Sequence, residues 1–198
     1  TIKYNTSIKG DKYVGGFCGE NIDESEQRRH VSSSSEDRTG KVHQCSSNGR
    51  VEGRIYIGGI SGKNNSMITG CTFSGRLGGD STCGGITGEH TNSTLSNCQF
   101  ERSGSIFHSN AKELECAGGI AGVVTHKARI HNVSSKGTVD GTKLIGGICG
   151  RLMDRSVCSK SYSFALVYGD SSTGFLFGEL FGETDVSNVY HIGVQDDH

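Results

Sequence analysis

A glycine box that returns six times constrains this chain more than any other feature. Val14-Gly15-Gly16-Phe17-Cys18-Gly19 recurs as Ile57-Gly58-Gly59-Ile60-Ser61-Gly62, as Cys83-Gly84-Gly85-Ile86-Thr87-Gly88 and as Ala117-Gly118-Gly119-Ile120-Ala121-Gly122. It returns again as Ile145-Gly146-Gly147-Ile148-Cys149-Gly150, then in degenerate form as Thr173-Gly174-Phe175-Leu176-Phe177-Gly178. From the second copy on, the boxes lie 26, 34, 28 and 28 residues apart. The first interval is 43, its excess falling in the polar stretch from Glu20 to Gly40. Self-similarity at such a period marks a solenoid, in which each repeat buries its apolar face only by stacking on its neighbours.

Two further elements keep phase with the box. One reads Val42-His43-Gln44-Cys45, Ile68-Thr69-Gly70-Cys71, Leu95-Ser96-Asn97-Cys98, Ile130-His131-Asn132-Val133 and Val186-Ser187-Asn188-Val189. Its copy around Cys158 is irregular, with Arg155 where an aliphatic residue is expected. The other places Gly before x-Val/Leu, as in Gly49-Arg50-Val51, Gly75-Arg76-Leu77 and Gly137-Thr138-Val139. Each unit therefore holds three short β-like pieces joined by Gly, Asn and Ser turns.

This pattern predicts an all-β chain: a single-stranded, right-handed parallel β-solenoid (β-helix) of about six turns, roughly 28 residues per turn. Turns would stack about 4.8 Å apart, and the hand follows the general preference for right-handed crossovers. Equivalent residues then form columns along the axis. One inward column is expected from Phe17, Ile60, Ile86, Ile120, Ile148 and Leu176. A second would hold Cys45, Cys71, Cys98, Val133, Cys158 and Val189, and a third Val42, Ile68, Leu95, Ile130 and Val186. Residues 1–198 read as one domain: an N-terminal edge strand over 1–13, a polar insertion loop over 20–41, and a C-terminal edge strand and tail over 186–198. Helix has its best chance at Glu24–Arg29. A Gly-rich β-sandwich is the competing fold, but its hairpins would show Asn-Gly or Asp-Gly every 8 to 12 residues. Those dipeptides are sparse here (Asn48-Gly49, Asp140-Gly141).

Composition agrees. Only 32% of the chain is hydrophobic and 31 residues are Gly, which suits thin stacked columns better than a bulky globular core. Pro is absent, as expected where nearly every amide donates to the next turn. A net charge of −1 and 7% aromatics supply neither the field nor the stacking surface that nucleic acid requires. No run of about 18 apolar residues predicts membrane insertion. The start at Thr1, without a signal-like segment, reads as a processed mature form.

The Gly-Gly-Ile-x-Gly box, followed by hydrophobic-x-Asn-Cys and then Gly-x-Val, resembles the GLUG repeat over about residues 14–194. That resemblance implies a β-solenoid stalk or adhesive region on secreted or cell-surface proteins. It extends to accessory regions of IgA-cleaving metallopeptidases, but no His-Glu-x-x-His is present to carry their chemistry here.

Eight cysteines and four Asn-x-Ser/Thr sequons, at Asn5, Asn64, Asn92 and Asn132, lean toward a secreted, oxidising compartment. Cys18 and Cys149 share one slot of the box, and Cys45 and Cys158 one slot of the second element. This suggests Cys18–Cys45 and Cys149–Cys158 bridges, leaving Cys71–Cys98 and Cys83–Cys116. The alternative is that Cys45, Cys71 and Cys98 are small buried thiols. The carboxylates Asp80, Asp140, Asp154, Asp170 and Asp185 fall mostly in turns, and none recurs at one slot in adjacent units. They give no acid–base pair for polysaccharide cleavage. The slot after the box Ile/Phe reads Cys18, Ser61, Thr87, Ala121, Cys149, which is no ice-binding threonine array.

No catalytic, cofactor-binding or metal residue is therefore predicted. The expected function is a non-catalytic extracellular structural or adhesive module, a subunit of a surface fibril or adhesin stalk. Its exposed end strands would self-associate head to tail into a homopolymer. The alternatives are a glycan-binding module using Tyr56, Phe73 or Phe107, and a polysaccharide-degrading β-helix enzyme.

Overall fold

The computed structural model describes residues 6–22, 40–108 and 114–193. Among the described residues there is no helix, and every strand pairing is parallel. The chain is a parallel β-solenoid.

One coil serves to define the cross-section. Arg50–Glu52 lies in the first wall, Ile55–Gly58 in the second, and Ser61–Asn65, after the glycine box, in the third. Ile68–Thr69 and Thr72–Phe73 form the fourth wall, bent between them. The first three walls are six-stranded sheets, each strand pairing with its equivalent one repeat away; the fourth is a ten-stranded sheet holding both short strands of each coil. In the last two coils the fourth-wall pair fuses into single strands, Val157–Ser163 and Asp185–His191.

The box is where two walls nearly touch. A Cβ on Gly58 would stand 2.0 Å from the Ser61 carbonyl oxygen, and one on Gly59 2.2 Å from the Phe73 ring. The first glycine thus permits a tight reversal between walls, and the second makes room for an aromatic from the fourth wall. Phe73 and Phe100 fill that room on successive coils, fully buried, with rings stacked 6.3 Å apart. Phe73 is therefore core and unavailable as a ligand platform. The predicted box column forms as a backbone ladder: Phe17 N donates to Ile60 O, Ile60 to Ile86, Ile86 to Ile120, Ile120 to Ile148, and Ile148 to Leu176. Ile60, Ile86, Ile120 and Ile148 are fully buried, whereas Phe17, in the first coil, is 59% exposed.

The fourth wall bends at a left-handed corner. Gln44, Gly70, Asn97, Asn132, Lys160 and Asn188 all have φ between 48° and 66°. Asn tolerates this conformation better than most side chains, which explains the recurring Asn of the second element. In four of these six coils the residue after the corner is a small donor bonded to the carbonyl two residues back; Val133 and Val189 take the place in the other two. Cys45 Sγ–His43 O and Cys71 Sγ–Thr69 O are both 3.4 Å, Cys98 Sγ–Ser96 O is 3.1 Å, and Ser161 Oγ–Ser159 O is 2.8 Å.

This register corrects the predicted second column. Cys158 pairs with Ile130 and Val186, so it occupies the aliphatic slot before the corner. Ser161 stands in the cysteine slot, opposite Val189. The segment assigned to an N-terminal edge strand holds two short strands in different walls, Ser7–Lys9 and the beginning of Lys12–Gly15. The proposed helix at Glu24–Arg29, most of the 20–41 insertion, and the tail from residue 194 lie outside the described residues.

Candidate functional site

The two end faces of the stack are the most distinctive surfaces. All the exposed large hydrophobics among the described residues, apart from Met67 and Tyr162, lie in the first or last coil. Some are core positions laid open. Leu180 and Val186 are 50% and 38% exposed, while Leu152 and Cys158, the same slots one coil earlier, are fully buried. Ile8 is 42% exposed where its register partner Val51 is 1%. Among the described residues, the strands of the first and last coils pair with a neighbouring coil on one side only, which leaves a ladder edge. An end face thus offers what one coil offers the next: a ladder edge and half-covered apolar columns.

The thiols follow the wall geometry. All eight cysteines are free, so the four predicted bridges are not formed, and the register gives reasons. Cys83 pairs with Ala117 while Cys116 pairs with Thr82. Neighbours one residue out of register point to opposite faces of the sheet. Cys18 sits in the third wall opposite Ser61, whereas Cys45 lies beside Cys71 in the fourth. The Cys149–Cys158 pairing loses its premise, since Cys158 does not share the Cys45 slot. Cys71 and Cys98 do share a slot, with Cys71 N donating to Cys98 Sγ at 3.4 Å, but each thiol turns to its own strand's carbonyl. The hydrogen bond from Cys98 holds Cys71 down at about 6, against the pull of burial, and pushes Cys98 up. Burial raises Cys83 and Cys149, and takes Cys116 and Cys158 to about 12.

The third wall holds a feature that sequence reasoning missed. Asn21, Asn64 and His90 stack in one buried slot that Val124 and Leu152 fill in later coils. Asn21 Nδ2 donates to Asn64 Oδ1 at 2.7 Å, and Asn64 Nδ2 meets His90 Nδ1 at 2.9 Å. His90 Nε2 lies 3.2 Å from Arg129 O, which assigns the proton to Nε2 and leaves Nδ1 as acceptor. The signal was available: each residue stands two after the last glycine of its box.

Asn64 also heads a sequon and is a predicted glycosylation site. It is fully buried in this chain of bonds, so a glycan at Asn64 is incompatible with the folded molecule. Asn92 and Asn132 lie on exposed turns, while Asn5 lies outside the described residues. Expressed in a glycosylating host, the chain is expected to lose sugar mass on glycosidase treatment from Asn92 and Asn132, and none from Asn64. Peptide mass mapping checks this; a modified Asn64 in folded protein would overturn the assigned core. Of the other aromatic candidates, Tyr56 stacks on Tyr13 at 5.7 Å, and Phe107 lies 5.6 and 4.9 Å from the Arg50 and Arg76 guanidinium carbons.

Residues 114–140, from the end of one connecting loop through box, corner and first-wall strand, match the model of the GLUG motif. The chain carries a GLUG motif. The matched stretch contains the fourth copy of the box, and the register shows the same unit repeated before and after it. No curated protein and no solved structure matches the chain significantly. Among the described residues, no three His, Cys, Asp or Glu side chains are grouped to hold a metal ion, and no helix is long and apolar enough to cross a membrane.

Proposed function

We propose that this GLUG-motif chain is a non-catalytic, extracellular structural module that assembles end to end through its open coils, as a subunit of a surface fibril or an adhesive stalk. The observation that carries this reading is the exposure of core slots at both ends of an otherwise well-buried stack. If the first coil of one copy continues the last coil of another, Val167 meets Ile8, Leu176 meets Phe17, Val186 meets Val42, and Val189 meets Cys45. Four columns then run on in apolar register. Leu180 would meet Asn21, the one mismatch among these slots. A head-to-tail contact of this kind does not close on itself and propagates as a filament. The exposed sequons Asn92 and Asn132 support a secreted setting, in which glycans would project sideways from the stack.

The test is concentration-dependent assembly. Sedimentation velocity and negative-stain microscopy of the full chain are expected to show linear oligomers that lengthen with concentration. A double variant, Leu180→Lys with Val186→Lys, places two ammonium groups in the interface and is expected to weaken association by at least about a hundredfold, since each buried unpaired charge costs several kcal/mol. Its circular dichroism spectrum should match that of the parent. Monomers at every concentration, or filaments indifferent to the variant, would refute end-to-end stacking.

A further inference from the structure

From the second coil to the fourth, the turn that follows the third wall lengthens one residue at a time. Between the inward slots Asn64 and Ile68 lie three residues, between His90 and Leu95 four, and between Val124 and Ile130 five. The longer turn of the later coil therefore overhangs the shorter ones before it, and the step leaves a groove of about 470 Å³. Lys63, Glu89 and Thr91 line it from the outward positions of the wall, and Asn92, His126 and Lys127 from the turns. The volume lies in the range of small-ligand sites.

Its chemistry is mixed in a specific way. Lys63 and Glu89 pair at 3.6 Å across adjacent coils and fix each other on the floor. His126 and Lys127 are exposed at the overhang, and neither side chain has a protein partner among the described residues. Both hold left-handed backbone, at φ of 56° and 59°, and Asn92 across the groove does so at 48°. Asp154 and Arg155 hold the same pair of angles one coil later, so this is the turn's own geometry and it fixes where His126 and Lys127 stand. Asn65, also lining the groove, and Thr91 add a carboxamide and a hydroxyl. At one edge the Lys63 ammonium lies 5.3 Å from the centre of the Tyr13 ring, which stacks on Tyr56. Tyr13 and Tyr56 are themselves left-handed, at 52° and 54°. The set combines an ammonium and an imidazole without partners with amide and hydroxyl groups, and the stacked tyrosines lie beside it.

We propose that this groove binds a carboxylated saccharide, a uronic-acid unit of an acidic glycan. Lys127 and His126 face its carboxylate, while Asn65, Glu89 and Thr91 receive its hydroxyls. A carboxylate alone would not use Glu89, and a neutral sugar would leave the overhanging Lys127 ammonium idle. The site lies on a side face, so it works whether or not copies stack at their ends, and it is open to a ligand in chains whose Asn92 carries no glycan.

The test is a titration of the full, uniformly ¹⁵N-labelled chain, made in a host that does not N-glycosylate, with a uronic-acid trisaccharide. The neutral trisaccharide of the same linkage and inorganic sulfate serve as parallel arms. Saturable amide shifts are expected at Lys63, Glu89, Thr91 and His126–Lys127 with the uronate and not with the other two. Lys127→Glu, on an exposed turn, should weaken binding at least about tenfold, because repulsion between two carboxylates replaces a charge-assisted hydrogen bond. His126→Gln should weaken it less, and the amide pattern of the distant walls should be unchanged in both. No shifts at millimolar uronate, an equal response to sulfate or to the neutral sugar, or indifference to Lys127→Glu would overturn the proposal.

Discussion

Gly84→Ala is expected to destabilise the chain by upward of about 4 kcal/mol, a large share of the 5–15 kcal/mol that holds a typical domain together. An added Cβ would stand 1.9 Å from Thr87 O, 2.6 Å from Gly122 N and 2.8 Å from Ala121 Cα. Ordinary overpacking costs about 1–3 kcal/mol because side chains can move aside. Here every obstacle is backbone, belonging either to the same reversal or to the next coil, and both are tied into ladders on two sides. Relief would require separating the second and third walls, which would break the packing of Ile57, Ile60 and Ile86 between coils. The control is Gly182→Ala, where φ is +69° and nothing lies within 4 Å. That change meets only the left-handed penalty, about 1 kcal/mol. Urea denaturation followed by far-ultraviolet circular dichroism measures both. Equal losses at the two positions would show that the box serves for flexibility and not for close approach.

The contrast between these glycines bears on how much of the fold is legible in the residues alone. The boxes stack because their spacing is near constant and their apolar residues recur in one phase, and the ladder from Phe17 to Leu176 is where the repeat places it. The fourth wall is harder. Lys160 takes the left-handed corner at 48° without the Asn that marks it elsewhere, so the period has to be counted through a continuous strand, and Cys158 slides one slot too far. Phe73 resembles a surface aromatic because its burial depends on Gly59 across the interior, a contact between walls that no local pattern encodes. Asn64 resembles a glycan acceptor because a buried polar residue and an exposed one are alike in a Lys-Asn-Asn-Ser string. Only superposing the six copies, two residues past the last glycine, exposes the slot shared by Asn21, Asn64, His90, Val124, Leu152 and Leu180. The open end faces follow from the repeat itself, while the side groove does not, since it arises from turn lengths that grow by single residues.

The second large effect is expected from acid. His90 is fully buried, and burial pushes its pKa down to about 4, only partly offset by the carbonyls of Arg129 and Ser93. The bond directions add a reason: with Asn64 Nδ2 donating to Nδ1, a second ring proton would point at a donor. An unfolded histidine takes up its proton near pH 6.5. Between about pH 6.5 and pH 4, therefore, the unfolded chain binds more protons than the folded one, and stability falls as pH falls. The contribution is intact above about pH 6.5 and lost progressively down to about pH 4, amounting to something on the order of 3 kcal/mol. Other groups can add a slope of their own, so the comparison must be with a variant. In His90→Leu, the slot takes the residue type of Leu152 but leaves Asn64 Nδ2 with Ser66 O as its remaining close acceptor. That variant should be less stable than the parent at pH 7.5 by about 1–3 kcal/mol, yet its stability should decline less steeply below pH 6.5. The two curves, from denaturant titrations at each pH, should draw together near pH 4. Parallel curves throughout would mean that the proton goes elsewhere, and that the Asn21–Asn64–His90 chain is not the buried, oriented column described above.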